Sequence, residues 1–120
     1  LACHRNRVET RPPATVPLIV RNDGMFDVTV YALPSTGSTS MRIRIGLVSS
    51  ASAVTLVVPK RALQLGGTLV VMLHAVGARS SWVSPSLTLP EGTAAHLDIA
   101  ADPSGDVSRS SLYALPSGEP

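Results

Sequence analysis

The N-terminal residues Leu1, Ala2 and Cys3 carry the clearest chemical clue to where the protein resides. A leucine and a small residue directly before a cysteine are typical of the end of a bacterial lipobox, in which the cysteine thiol becomes linked to a diacylglycerol. The pattern predicts a lipidated Cys3 and a position on a membrane surface outside the cytoplasm. The alternative interpretation is an incidental cysteine in an N-terminal segment.

Two other short motifs indicate turns. Residues Leu33 to Gly37 (LPSTG) match the LPxTG signal that sortases cleave, but that signal lies near the C-terminus of its proteins. Here the motif lies between two predicted strands, and its proline and glycine favour a hairpin loop. Residues Asn22 to Gly24 predict another turn, because Asn, Asp and Gly tolerate a positive φ.

The three histidines, His4, His74 and His96, lie in separate parts of the chain. His96 has the carboxylate of Asp98 on the same predicted strand face, but two groups do not make a metal site. His74 shares a strand face with Met72 and other apolar residues. This row is predicted to be an exposed interface if the opposite face fills the core, and a strand buried on both faces is equally consistent.

The sequence contains no pattern that indicates catalysis. The many serines lack a Gly-x-Ser-x-Gly elbow, no pair of carboxylates shares a predicted cleft element, and no glycine-rich phosphate loop precedes a helix. The single cysteine excludes an intramolecular disulfide and a thiolate zinc site. We therefore expect a non-catalytic protein without a metal or an organic cofactor.

The elements that must position any site are predicted to be strands. Of the 120 residues, 44% are hydrophobic and 15% are charged, so one domain with a packed core is expected. Seven short, β-branched runs bounded by turn residues recur every ~8–14 residues, which predicts an all-β fold, a seven-stranded antiparallel Ig-like β-sandwich without the cysteine pair of immunoglobulin domains. The runs are Val16–Asn22, Asp27–Leu33, Met41–Val48, Ala53–Val58, Thr68–Val76, Ser80–Leu89 and Thr93–Ala100.

Local features predict where these strands bend or break. The run Met41–Val48 alternates, with its two arginines directed to solvent and Met41 directed inward. Gly46 indicates a bulge or a close approach of another chain segment, and Pro85 indicates a kink or an edge. The segment Pro59–Gly67, with proline first and a glycine pair last, predicts a short helix or 3₁₀ turn.

Opposite charges accumulate at the two ends of the chain. Residues 1–21 carry four arginines and one glutamate, a net charge of +3, whereas residues 98–120 carry four acidic residues and one arginine, a net charge of −3. Such ends favour docking onto protein surfaces, and solvated tails are the alternative. Nucleic-acid binding is not predicted, because the whole chain has a net charge of only +2 and aromatic residues make up 3%.

The composition divides the chain into three predicted parts. Residues 1–15 form an N-terminal arm, residues 16–100 form the β-sandwich, and residues 101–120 form an extended C-terminal tail. The candidate partner-binding residues are Arg5, Arg7 and Arg11 in the arm, which would meet an acidic surface, and Leu112, Tyr113 and Leu115 in the tail, which would form an apolar anchor.

The turn and core residues carry a resemblance over about residues 16–100. They are Val20-Arg21-Asn22-Asp23, Asp27–Tyr31, Arg44–Val48, Leu56–Pro59, Gly66-Gly67, Ser86-Leu87 and Pro90-Glu91-Gly92. In these positions the chain resembles a group of small bacterial envelope lipoproteins predicted to be β-sandwiches. It is also similar to membrane-extrinsic subunits on the periplasmic face of bacterial reaction-centre–light-harvesting photosystems. The resemblance implies a structural role and protein partners, and it brings no catalytic residues.

Three functions follow as hypotheses. The first is a non-catalytic, extracytoplasmic subunit that docks through its tails onto a larger membrane complex and stabilises it. The second is a free envelope lipoprotein that binds a carbohydrate or peptide, which predicts a concave pocket with convergent polar groups. The third is a subunit of a self-assembling surface fibre, joined by strand exchange through an arm such as Val16–Arg21.

Overall fold

A computed structural model describes residues 15–35, 38–90 and 92–116. These residues form an all-β structure, as the hydrophobic pattern predicts, with one 3₁₀ helix at Lys60–Ala62 between the proline and the glycine pair. The strands are β1 (Thr15–Asn22), β2 (Val28–Ala32), β3 (Ile43–Val48), β4 (Ser52–Pro59), β5 (Thr68–Leu69), β6 (Val71–Ala75), β7 (Trp82–Val83), β8 (Leu87–Thr88), β9 (Thr93–Ile99) and β10 (Ser111–Pro116). Among the described residues, no helix is long and apolar enough to cross a lipid bilayer.

Residues 15–35, 38–90 and 92–116 contain ten strands, whereas seven were predicted for the chain. Pro85 lies between β7 and β8, so the expected break occurs there, and the facing run divides into β5 and β6 at Val70. Because of these breaks, β5 and β8 pair with each other, whereas β6 and β7 belong to a larger sheet. The tenth strand, β10, arises within the segment predicted to be a tail.

Eight of the strands in the described residues form two four-stranded sheets, with the orders β10-β9-β1-β4 and β3-β2-β6-β7. The prediction of wholly antiparallel sheets is wrong at one pair, because β1 and β9 run parallel. A parallel pair needs a long connection. Here the chain between β1 and β9 forms β2 to β8, which include every strand of the second sheet. The segment Val16–Arg21, proposed above as an exchangeable arm, lies in β1 between β9 and β4 and pairs with both.

One hydrophobic core receives side chains from both four-stranded sheets. Side chains of β2 alternate between two faces, since Val28 and Val30 are fully buried while Thr29 and Tyr31 lie on the other face. Burial of each large aliphatic side chain contributes about 1.5–3 kcal/mol. The fully buried large residues are Leu18, Val20, Val28, Val30, Val48, Val58, Leu69, Val71, Leu73 and Leu97, with Ile99 almost fully buried.

Strand β3 contains the predicted irregularity. Val30 pairs with Gly46 and Tyr31 pairs with Arg44, so the ladder skips one residue of β3. A Cβ atom on Gly46 would lie 2.9 Å from Leu56 Cδ2, so this glycine marks a close approach as well as a bulge. The inward position predicted for Met41 is wrong. Met41 is 59% exposed, because the strand begins two residues after it.

The segment predicted as a C-terminal tail is largely part of the fold. Val107 is buried in the core, and Ser110 Oγ accepts a hydrogen bond of 3.0 Å from Ala100 N–H. The Asp102 carboxylate closes the turn of residues 102–106 by accepting hydrogen bonds from Ser104 and Asp106. These hydrogen bonds hold the pKa of Asp102 below its usual value. A Ser-, Gly- and Pro-rich composition suggested a tail, but here the polar side chains form turns that lead into β10.

Candidate functional site

The predicted site residues of the N-terminal arm lie outside the described residues. These are the lipidation candidate Cys3 and the partner-binding candidates Arg5, Arg7 and Arg11. They stay predictions.

The three candidates of the C-terminal segment lie in β10 and do not form one apolar anchor. Leu112 packs against the core, whereas Tyr113 and Leu115 project from the opposite face, because successive side chains of a strand alternate. Leu115 is 44% exposed. Only Leu115 therefore presents an accessible aliphatic side chain.

Tyr113 is held in a polar cluster on the outer face of its sheet. Its hydroxyl donates a hydrogen bond of 2.9 Å to Asp98 Oδ2, and its ring stacks on His96 with the centroids 5.4 Å apart. The hydrogen bond to the carboxylate raises the pKa of Tyr113. His96 and Asp98 share one face as predicted. No group of three metal-ligating side chains occurs in the described part of the chain.

The outer face of the β3-β2-β6-β7 sheet carries a concave surface. Tyr31, Met72 and Val83 lie opposite one another on β2, β6 and β7 and form one row, with His74 in the next row. Neither placement predicted for the His74 row holds along its whole length. Met72 is only 6% exposed and His74 is half-buried, whereas Val76 is 54% exposed. The other face of β6 packs into the core through Val71, Leu73 and Ala75.

Two depressions adjoin on this face and share Thr39 and Val83. We call them the paired depressions. The first has a volume of about 470 Å³ and is lined by Tyr31, Thr39, Arg42, Met72, His74, Ser81 and Val83. The second has a volume of about 450 Å³ and is lined by Leu33, Ser35, Ser38, Thr39, Gln64, Val70, Val83 and Ser86.

The floor of the paired depressions is apolar and ordered by packing. Leu33, Val70 and Met72 form a small buried cluster of their own, and Tyr31 packs against it. Gln64 Nε2 donates a hydrogen bond of 3.1 Å to the Leu33 carbonyl, which attaches the segment after the 3₁₀ helix to the end of β2. The floor therefore belongs to the sheet and not to a loose loop.

The rim of the paired depressions is polar and basic. Arg42 lies over the Tyr31 ring, 5.2 Å from its centroid, and its guanidinium donates to the Thr39 carbonyl at 3.4 Å. A cation above an aromatic face is attracted by the ring quadrupole, so Arg42 is held above the floor. None of the described lining residues carries a carboxylate. The first depression therefore presents positive charge beside apolar surface.

His74 and Ser81 form the one contact here that resembles a catalytic pair. His74 Nδ1 lies 2.9 Å from Ser81 Oγ. A serine activated by a histidine needs a third group that orients the imidazole, and no described residue forms such a bond with His74. The His74 imidazole and the Ser81 hydroxyl can form hydrogen bonds with a bound molecule.

Sequence reasoning missed most of the lining residues. Residues 35, 38–42 and 81–86 come together only because β2, β6 and β7 are neighbours in the sheet. The one available signal was the apolar row around His74.

No family model matches the chain, and no curated protein matches it.

Proposed function

We propose that this chain is a non-catalytic interaction domain, an Ig-like β-sandwich that docks onto a protein of a larger membrane assembly outside the cytoplasm. The observation that carries the proposal is the concave outer face of β3-β2-β6-β7, with its apolar floor and basic, hydroxyl-rich rim. A hydrophobic centre within a polar rim is the common anatomy of protein interfaces.

The strand order supports the Ig-like part of the proposal. The order β3-β2-β6-β7 corresponds to C′-C-F-G of an immunoglobulin variable-type sheet, and the antiparallel pair β1–β4 corresponds to B–E in the opposite sheet. Beside β1, the position of strand A is taken by β9, which runs parallel to β1 and not antiparallel. The proposed domain is therefore Ig-like in six strands and departs from that pattern at β9 and β10.

The site chemistry supports docking through the sheet face. Tyr31 and Arg42 are residue types enriched at interface hot spots, and they are already held in contact with each other. Because β10 pairs with β9, residues 111–116 do not form a separate docking tail. We therefore propose that docking uses the outer face of β3-β2-β6-β7 together with the N-terminal arm. The extracytoplasmic location and the lipid anchor rest on the Leu1-Ala2-Cys3 motif, and a reaction-centre–light-harvesting complex is the candidate partner from the resemblance alone.

The test is co-migration of the tagged full-length chain with a membrane complex. Detergent-solubilised membranes of the source bacterium are separated on a sucrose gradient, and the chain is traced together with Val83→Glu and Met25→Glu variants. Val83 is 43% exposed in the paired depressions, while Met25 is 81% exposed in the β1–β2 connection. We expect the wild type and Met25→Glu to co-migrate with a stoichiometric partner and Val83→Glu to remain at the top. A wild-type chain that migrates alone, or unchanged co-migration of Val83→Glu, contradicts the proposal.

A second candidate function is the binding of a carbohydrate or peptide by the free domain. It is favoured by the hydroxyl groups that converge on the second depression, from Ser35, Ser38, Thr39 and Ser86. NMR titration of the isolated chain with oligosaccharide and peptide libraries tests it. Saturable shifts confined to this depression support it, and shifts absent from this face at millimolar ligand refute it.

A further inference from the structure

Strand β4 forms an edge of its sheet that lacks the usual protection against pairing. Within the described residues, β4 pairs on one side with β1 and has no neighbour on the other. The strand is eight residues long, and none of its residues is charged. An edge of this kind offers a row of backbone donors and acceptors to a further strand.

The two edges of the β3-β2-β6-β7 sheet show the protection that β4 lacks. Strand β3 carries Arg44 and a bulge that disturbs its ladder, and β7 has only two residues. Charged side chains, bulges and short length are the devices by which proteins block edge pairing. On β4, by contrast, Val57 is 57% exposed and Val54 is 36% exposed. The other edge of its own sheet, β10, is also uncharged but has only six residues, so β4 is the longer unprotected edge on which a further strand can add.

Charge of opposite sign flanks the two ends of β4. Lys60 and Arg61 follow directly after its last residue. At the other end the Asp27 carboxylate accepts a hydrogen bond of 2.9 Å from Ser50 N–H, in the turn that leads into β4. In an antiparallel pair the end of one strand meets the start of the other. The basic end of one β4 would therefore lie against the acidic end of a second one.

We propose that β4 pairs antiparallel with β4 of a second copy of this chain, about a two-fold axis through Thr55. This register places Ala53 opposite Val57 and sets Lys60 opposite Ser50, beside the Asp27 carboxylate of the other copy. The result is one continuous eight-stranded sheet across the dimer. An isologous contact of this kind closes on itself and does not grow into a fibre. The dimer uses the edge of one sheet and is independent of the paired depressions on the other.

Two paired strands bury an area at the low end of specific interfaces, below ~1,200 Å². The association is therefore weak, and it is measured over a concentration series. Sedimentation equilibrium of the full chain, with Cys3→Ser to remove the only thiol, is expected to show a reversible monomer–dimer equilibrium. A monomer at every concentration up to the millimolar range overturns the proposal.

The matched variants are Thr55→Lys and Thr88→Lys. Both threonines are exposed strand residues, and Thr88 lies on β8, away from the proposed axis. Two lysines at position 55 would face each other across the two-fold axis, and directly opposed like charges destabilise a strand pair. We expect a dissociation constant at least ~10-fold higher for Thr55→Lys and unchanged for Thr88→Lys. A dimer that Thr55→Lys leaves intact, or that both variants weaken equally, refutes pairing through β4.

A cross-linking experiment tests the register without relying on a charged variant. In the Cys3→Ser background, Thr55→Cys places two thiols opposite each other on the axis, whereas Thr39→Cys places one in the exposed loop before β3. Mild oxidation is expected to convert most of the Thr55→Cys chain to a disulfide-linked dimer and little of the Thr39→Cys chain. Equal, slow cross-linking of the two variants contradicts the proposed register.

Discussion

Replacement of Asn22 with alanine is expected to destabilise the protein more than any surface substitution, because this side chain joins three chain segments. Asn22 is fully buried, and its Nδ2 group donates to the carbonyls of Phe26, Val48 and Ser49 at 2.9–3.2 Å. Its Oδ1 accepts a 2.9 Å bond from Gly24 N–H. The amide orientation is unambiguous, since a backbone N–H requires an acceptor and carbonyls require a donor.

The magnitude follows from the groups that alanine would leave unpaired. The Gly24 N–H and the Val48 carbonyl take part in the two buried bonds, and each buried group without a partner costs about 1–3 kcal/mol. Water can reach the partly buried carbonyls of Phe26 and Ser49, so their loss costs less. We expect Asn22→Ala to lower the free energy of unfolding by about 4 kcal/mol, which is a large part of the ~5–15 kcal/mol typical of a domain.

Urea denaturation followed by circular dichroism measures this loss. With a slope of ~2 kcal/mol per molar urea, the midpoint of Asn22→Ala is expected about 2 M below that of the wild type. Arg21→Ala is the control, because the Arg21 side chain forms an exposed ion pair with Asp23, and such pairs contribute ~0–1 kcal/mol. A loss below ~1 kcal/mol for Asn22→Ala would show that water replaces the side chain and would refute the reasoning.

Three further predictions concern packing and titration. Gly46→Ala is expected to destabilise by about 1–3 kcal/mol in thermal unfolding, since the new methyl would lie 2.9 Å from Leu56 Cδ2, and Leu56→Ala should relieve much of that penalty in a double-mutant cycle. Spectrophotometric titration should place the Tyr113 pKa above that of free tyrosine, and Asp98→Asn should lower it. Because the pKa is raised in the folded state, the stabilisation from the Tyr113–Asp98 hydrogen bond is fully present below the pKa of the unfolded chain. It disappears as the pH rises through the pKa of the folded protein. Leu73→Ala should cost about 2–5 kcal/mol in urea denaturation, and a loss under ~1 kcal/mol would contradict its placement in the core.

Local sequence patterns were sufficient for most of the secondary structure. The β-branched run of residues 27–33 predicted β2, and Gly46 and Pro85 predicted irregularities where the structure has them. These are short-range properties, since they depend on steric preferences of single residues and on the two-residue period of a strand.

The turn at Asn22–Gly24 was predicted correctly for the wrong reason. Neither Asn22 nor Gly24 has a positive φ. The turn is instead stabilised by the buried Asn22 side chain and by the small size of Gly24, whose added Cβ would lie 2.9 Å from Ala101 Cβ. Contacts with Val48 and Ala101 are distant in the chain, so no local pattern could indicate them.

Contacts between residues distant in the chain also explain why the prediction for residues 101–116 was wrong. Their composition predicts a tail, yet the pairing of β10 with β9 and the burial of Val107 make them part of the fold. For His74, the sequence by itself determined that an apolar row lies on one strand face. Only the tertiary structure decided how far this face is covered, from the buried Met72 to the exposed Val76, because exposure depends on which other segments pack over a sheet face. The depressions around His74 form where segments distant in the chain meet.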